Sequence, residues 1–166
     1  MPEGAESALR TGPATTVALT HAEAKASLVA SGHAGTRTVV LAADTLISLD
    51  GIVIGKPANK QGAIETLRLL QGKTHSALTA YAVVDCSSGR HSTGVAEARV
   101  TMRHLSAGDI TAYVASGEPL DKAGAYGIQG KGALLVERVD GDYYAIVGLP
   151  LCQVAITLVE FGISLL

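Results

Sequence analysis

The chain has 166 residues, 48% of them hydrophobic and 17% charged, which is enough apolar side chain for one domain with a real core. A balance of 13 Lys and Arg against 15 Asp and Glu leaves a net charge of -2, excluding a broad electrostatic grip on nucleic acid or anionic lipid but not a small anion site. Tryptophan is absent and there is a single Phe, which argues against base-stacking platforms for single-stranded nucleic acid.

Residues 1–14 are small, polar and rich in Gly and Pro, which predicts a loosely held segment. Thr15 or Thr16 then caps a helix running to about Ser31, with Gly32 as its stop. Residues 38–43 form a short, β-branched apolar run, predicting a strand covered on both faces and ending at Asp44-Thr45. In the following LISLDGIVI, two apolar runs flank Asp50-Gly51, a strong signal for a type I′ hairpin. Asn59 caps a second helix through Leu70, which places Ala63, Leu67 and Leu70 on one face before Gly72. Residues 76–86 and 94–105 read as strands separated by the turn-rich SSGR. Ser106 and Asp109 have capping-box spacing and open a helix to Ser116. Residues 133–139 and 143–147 flank Asp140-Gly141 as a second hairpin, and Pro150 opens a closing helix that ends near Gly162. Helices alternate with strands while several strands come as hairpins. The expected fold is therefore α/β, three-layered around a mixed central sheet, with residues 1–166 forming a single domain.

The two cysteines, Cys86 and Cys152, make neither a disulfide framework nor a four-ligand zinc site, and read as reduced core thiols. The opening residues lack a basic region followed by an apolar one, so no signal peptide is visible. The longest uncharged stretch, residues 143–159, is broken by Gly148 and Pro150 and falls short of the ~20 apolar residues of a membrane span. A cytoplasmic protein binding neither membrane nor nucleic acid is expected.

Asp44-Thr45 is the most informative site, because ligands of open α/β sheets bind beyond the carboxyl ends of strands. Position alone leaves two roles open for Asp44. It caps a turn, or it binds a hard divalent cation or takes a proton from water. Lys56, between Gly55 and Pro57, sits on a constrained turn, either solvated or aiming its ammonium at a phosphate. Residues 116–132, SGEPLDKAGAYGIQGKG, contain five of the 19 glycines together with Glu118, Asp121, Lys122 and Gln129. This density of glycine and charge favours a ligand-binding segment over a flexible surface loop. Lys25, among Ala24, Ala26 and Leu28, snorkels to solvent or points into a site. The five histidines (His21, His33, His75, His91, His104) show no metal spacing, and neither a P-loop nor a G-x-S-x-G elbow occurs. Any hydrolysis is expected to use metal and water rather than a covalent intermediate.

In order, AEAKASLVA, VVLAADTLISLDGIVIGKP, LQGKTHSALTAYAVV and SGEPLDKAGAYGIQGKGALLVERVDGDYYAIVGLPL resemble the Maf family of nucleoside triphosphate pyrophosphatases. The resemblance covers nearly everything from residue 22 to 151, and the form DKAGAYGIQG is similar to the branch that prefers dTTP and UTP. It implies a Maf/ITPase-like architecture, a homodimer, a divalent metal (Mg or Mn), and hydrolysis between the α and β phosphates to a nucleoside monophosphate and pyrophosphate. It further implies that Asp44 is the proton acceptor and metal contact, that Thr45 and Gln129 choose the base, and that Lys25, Lys56 and Lys122 hold phosphate oxygens. The family opens with a buried strand, a Ser-x-Ser-Pro-Arg-Arg loop and an acidic stretch, whereas this sequence has no Ser-x-Ser and no adjacent arginines. That departure leaves a second expectation beside the enzyme: a truncated, weakly active or inactive nucleotide-binding protein linked to cell-division control.

Overall fold

The computed structural model describes residues 14–166, so the expectation for the opening segment lies, apart from Ala14, outside the described residues. Helix α1 spans Ala14–Ser31. Because Ala14 is already helical, Thr15 and Thr16 lie inside the helix and are not its cap. Ala18, Ala22 and Ala26, spaced one turn apart, are fully buried and let the helix lie close on the sheet. The adjoining row, Val17, His21 and Lys25, has the same spacing.

Strand β1 (Val39–Leu49) is an unbroken 11-residue strand, so Asp44-Thr45 sits in its middle and not at its end. The backbone has no reason to turn there, because Asp44 pairs with Ala80 and Thr45 with Thr79 of β3 (Thr74–Asp85). Side chains alternate along β1. Val40, Leu46 and the α1 alanines share one cluster, while Ile47 and Leu49 join the cluster on the opposite face. Strand β2 (Ile52–Ile54) returns through the predicted turn, with Asp50 (φ 52°) and Gly51 (φ 81°) both left-handed as type I′ geometry requires. It covers only Ile47 to Leu49. Among the described residues, the outer edge of β1 before Ile47 has no strand partner.

Helix α2 (Lys60–Leu70) is capped as expected, the Asn59 side chain accepting from the Gly62 amide at 2.9 Å. Strand β4 (His91–Met102) follows β3, then α3 (Ala107–Ala115), with reciprocal bonds between Ser106 and Asp109. The chain closes with β5 (Val136–Gly141), α4 (Tyr143–Val147) and α5 (Leu151–Glu160). The sheet order is β2-β1-β3-β4-β5.

The α/β class holds, but every pairing among the described strands is antiparallel, so the sheet is not the mixed one expected. The reason is topological. Helix α2 does join two strands running the same way, β2 and β3, but β1 lies between them. The hairpin expected around Asp140-Gly141 is also absent. Residues 136–141 pair with β4, and the Asp142 carboxylate caps α4 by accepting from the Tyr144 amide at 2.8 Å. The aromatic and β-branched content of residues 143–147 reads as strand, and the cap outweighs it.

Helix α1 covers one face of the sheet. The other face carries α2 and α3 at one end, where Leu67, Leu70, Ile110 and Tyr113 pack against Ala77, Val100 and Met102. Helix α5 covers the other end through Val154 and Leu158 on Tyr81 and Val83. Cys86 is a buried free thiol, but Cys152 is exposed on α5, so only one of the pair is a core thiol. No described helix is long and apolar enough to cross a membrane.

His75 of β3 is buried, its Nε2 2.8 Å from the Tyr126 hydroxyl and its Nδ1 without a partner. Desolvation by burial lowers its pKa from 6.5 to about 4. Between those values the unfolded chain binds the extra proton, so this stability is complete above pH 6.5 and is lost as pH falls toward 4. Urea unfolding should show about 2 kcal/mol less stability at pH 5 than at pH 7 from this residue. The same comparison in His75→Gln should lose that part of the slope. Equal slopes in the two proteins would remove His75 as the cause.

Candidate active site

Asp44 lies on the α1 face of β1, directly beneath the Val17–His21–Lys25 row. Its carboxylate is held at both oxygens: Lys25 Nζ donates to Oδ1, and His21 Nδ1 is 3.0 Å from Oδ2. The Asp44 side chain is 10% exposed, a depth at which a carboxylate needs such partners. Of the two options for Lys25, the structure therefore shows an inward ion pair.

Thr45, one residue on, points to the opposite face. Its hydroxyl is 2.7 Å from that of the fully buried Thr79, which donates in turn to the Ala145 carbonyl of α4 at 2.5 Å. Lys56 follows β2 on a turn tied to the glycine-rich segment by a hydrogen bond from the Gly124 amide to the Gly55 carbonyl, 3.2 Å. Only glycine fits at 124. Its φ is +70°, and a Cβ would stand 2.9 Å from Ile47.

The glycine-rich segment is not a flexible loop. Three short 3-10 turns, Glu118–Asp121, Ala123–Ala125 and Gly130–Leu135, shape it around Glu118. The Glu118 carboxylate accepts from the Gly132 and Lys131 amides and the Tyr113 hydroxyl, each at 3.0 Å. Desolvation by burial pushes its carboxyl pKa up, but the two amides and the hydroxyl outweigh that and leave it lowered. Glu118 therefore clamps its own segment instead of facing a ligand. Asp121 pairs with Lys122 at 2.7 Å, and that hydrogen bond and charge lower the carboxyl pKa.

Two adjoining cavities of about 310 and 440 Å³ share Lys25, Asp44, Thr45, Lys56 and Ala123, forming one cleft. The smaller extends to Asp121, Lys122, Tyr126 and Gln129. The six residues to which the resemblance gives a role, Lys25, Asp44, Thr45, Lys56, Lys122 and Gln129, thus line the same cleft, as does Asp121, whereas Glu118 does not. Two further lining residues, His21 and Tyr126, escaped that reading. His21 had a usable signal, since it stands one helical turn before Lys25. Among the described residues, no three His, Cys, Asp or Glu side chains converge to hold a metal.

A family model described as Maf-like protein matches residues 1–161. The chain belongs to that family. The dTTP/UTP pyrophosphatase of Moorella thermoacetica is 51% identical over 141 residues, 85% of this chain and 72% of the relative. The dTTP/UTP pyrophosphatase of Dictyoglomus turgidum is 49% identical over 128 residues, 77% of this chain and 66% of the relative. That of Salmonella typhimurium is 54% identical over 114 residues, 69% of this chain and 57% of the relative.

The close packing of the Maf-like segment is open to test. A Cβ at Gly132 would meet the Gly127 carbonyl oxygen at 2.1 Å, whereas one at Gly108 in α3 meets nothing nearer than 3.6 Å. Gly132→Ala should cost roughly 1–3 kcal/mol in urea unfolding, and Gly108→Ala should gain roughly 0.5–1 kcal/mol. Similar effects at the two positions would contradict the clamp.

Proposed function

We propose that this chain hydrolyses dTTP- and UTP-like nucleoside triphosphates, modified ones included, to the monophosphate and pyrophosphate. The observation that carries the proposal is the convergence in one cleft of a carboxylate, three lysines and, beyond them, the Thr45 hydroxyl and Gln129 amide. The names of the relatives support the same substrates.

In this reading water attacks phosphorus, the α–β bridging bond breaks, and pyrophosphate leaves with the bond's electrons. Asp44 takes the water's proton. Lys25 and Lys56 hold phosphate oxygens and offset the developing charge, with Lys122 on the far wall. In the free protein Lys25 neutralises Asp44. An arriving polyphosphate offers the ammonium a second anion, which frees Oδ1 to meet water. Partial exposure of the Lys25 side chain, 30%, leaves room for that exchange.

A divalent cation of the Mg or Mn kind fits the hard oxygen donors Asp44 and Asp121. Among the described residues these are the only carboxylates on the cleft wall, so a bound cation would need substrate oxygens and water as further ligands. When bound, it supplies charge neutralisation on the phosphates. The same reading places the chain in the cytoplasm, which suits two free thiols, and pairs it as a homodimer. Exposed Ile156 and Val159 of α5 are apolar surface for a second copy to cover.

Asp44→Asn keeps the side-chain shape but loses charge and basicity. Pyrophosphate release from UTP should fall by roughly 10²–10⁴-fold with the fold retained. Wild-type turnover in that variant would remove Asp44 from the mechanism. Gln129→Leu removes a group that both donates and accepts. It should narrow the preference for UTP over other triphosphates more than it weakens phosphate binding. Unchanged relative rates across bases would make Gln129 a structural residue.

A further inference from the structure

A hydroxyl has one proton to give, and that count fixes the direction of the Thr45–Thr79–Ala145 chain. The Ala145 carbonyl can only accept, so at 2.5 Å the Thr79 proton is committed to it. The bond between the two threonine hydroxyls at 2.7 Å must then be donated by Thr45. With its own proton spent on Thr79, Thr45 offers the cleft lone pairs alone. Thr79 is fully buried and does not line the cleft, so it acts only through its neighbour.

We infer that Thr79 is a positioning residue that locks the Thr45 hydroxyl as an acceptor facing the cleft, selecting a base that presents a ring N–H. This inference rests on the proposed reading that Thr45 meets the base. Uracil and thymine carry a proton on N3, which an acceptor-only oxygen attracts. Cytosine carries a lone pair there, which the same oxygen repels. Without the lock the Thr45 hydroxyl rotates freely and serves either base, so the carbonyl of α4 specifies polarity in the cleft through two side chains. The arrangement discriminates by leaving the wrong base with two facing lone pairs, a penalty and not merely a missing attraction.

The test measures binding of UMP and CMP by calorimetry, with thermal melting alongside. Wild type should prefer UMP. Thr79→Val, of the same shape without the hydroxyl, should shrink that preference on the order of tenfold, and Thr79→Ser, which keeps the proton chain, should restore it. If Thr79→Val does not fold, Thr79→Ala removes the hydroxyl without bulk and is expected to behave the same way. An unchanged UMP-to-CMP ratio in the folded hydroxyl-free variant, or a Ser variant as indiscriminate as Val, overturns the lock. Thr45→Val separates the two levels. If it erases the preference while Thr79→Val does not, only the lock is wrong. If Thr45→Val leaves the preference intact, or wild type shows none, the assignment of Thr45 to the base fails and the lock with it.

Discussion

A carboxylate in the middle of a strand and beneath a helix is tolerable only if the helix brings partners to it. Asp44 is in that position, and Lys25 and His21 meet it from a single helical row. Leaving such a charge unpaired typically costs several kcal/mol. The pairing therefore dictates the rotation of α1 about its axis as much as the alanine row does. Ala18, Ala22 and Ala26 set how near the helix lies, and His21 with Lys25 set which way it faces. The same contact lets β1 run straight through Asp44 to the hairpin.

On the far side of the sheet the controlling feature is an internal clamp. Glu118 gathers two amides and a hydroxyl, and Gly124 passes against Ile47 with its amide tied to the Gly55 carbonyl. A segment of high glycine content is thereby held as a wall. Buried Tyr126, bonded to His75 of β3, joins that wall to the sheet.

The helices capped by Asn59 and Ser106, and the Asp50-Gly51 hairpin, were legible because local chemistry alone decides them. Sheet direction was not, because it depends on which strand slips between two others, and no local signal reports that. Residues 143–147 misled for a related reason: a strand-like composition was overruled by one capping aspartate. In the site, six cleft-lining residues were legible, Lys122 and Gln129 from glycine density and Lys25, Asp44, Thr45 and Lys56 from their places in the family's motif. His21 was missed because its meaning depends on a partner 23 residues away, and Glu118 was misread because its amide partners lie 13 and 14 residues on. Carboxylates and histidines announce their type in sequence but not their direction.

Asp44 and Thr45 are neighbours on one strand, so their side chains stand on opposite faces. In the proposed reading, one serves the anhydride and the other the base. A slip of β1 by a single residue would bring a hydroxyl where the carboxylate stands and invert both faces at once. The two-residue turn at Asp50-Gly51 and the long ladder with β3 hold that alignment. Turnover and substrate choice are thus tied to a common frame. Such a strand accepts exchanges of side chains far more readily than insertions or deletions, and a lineage shortening or lengthening it would forfeit both properties together.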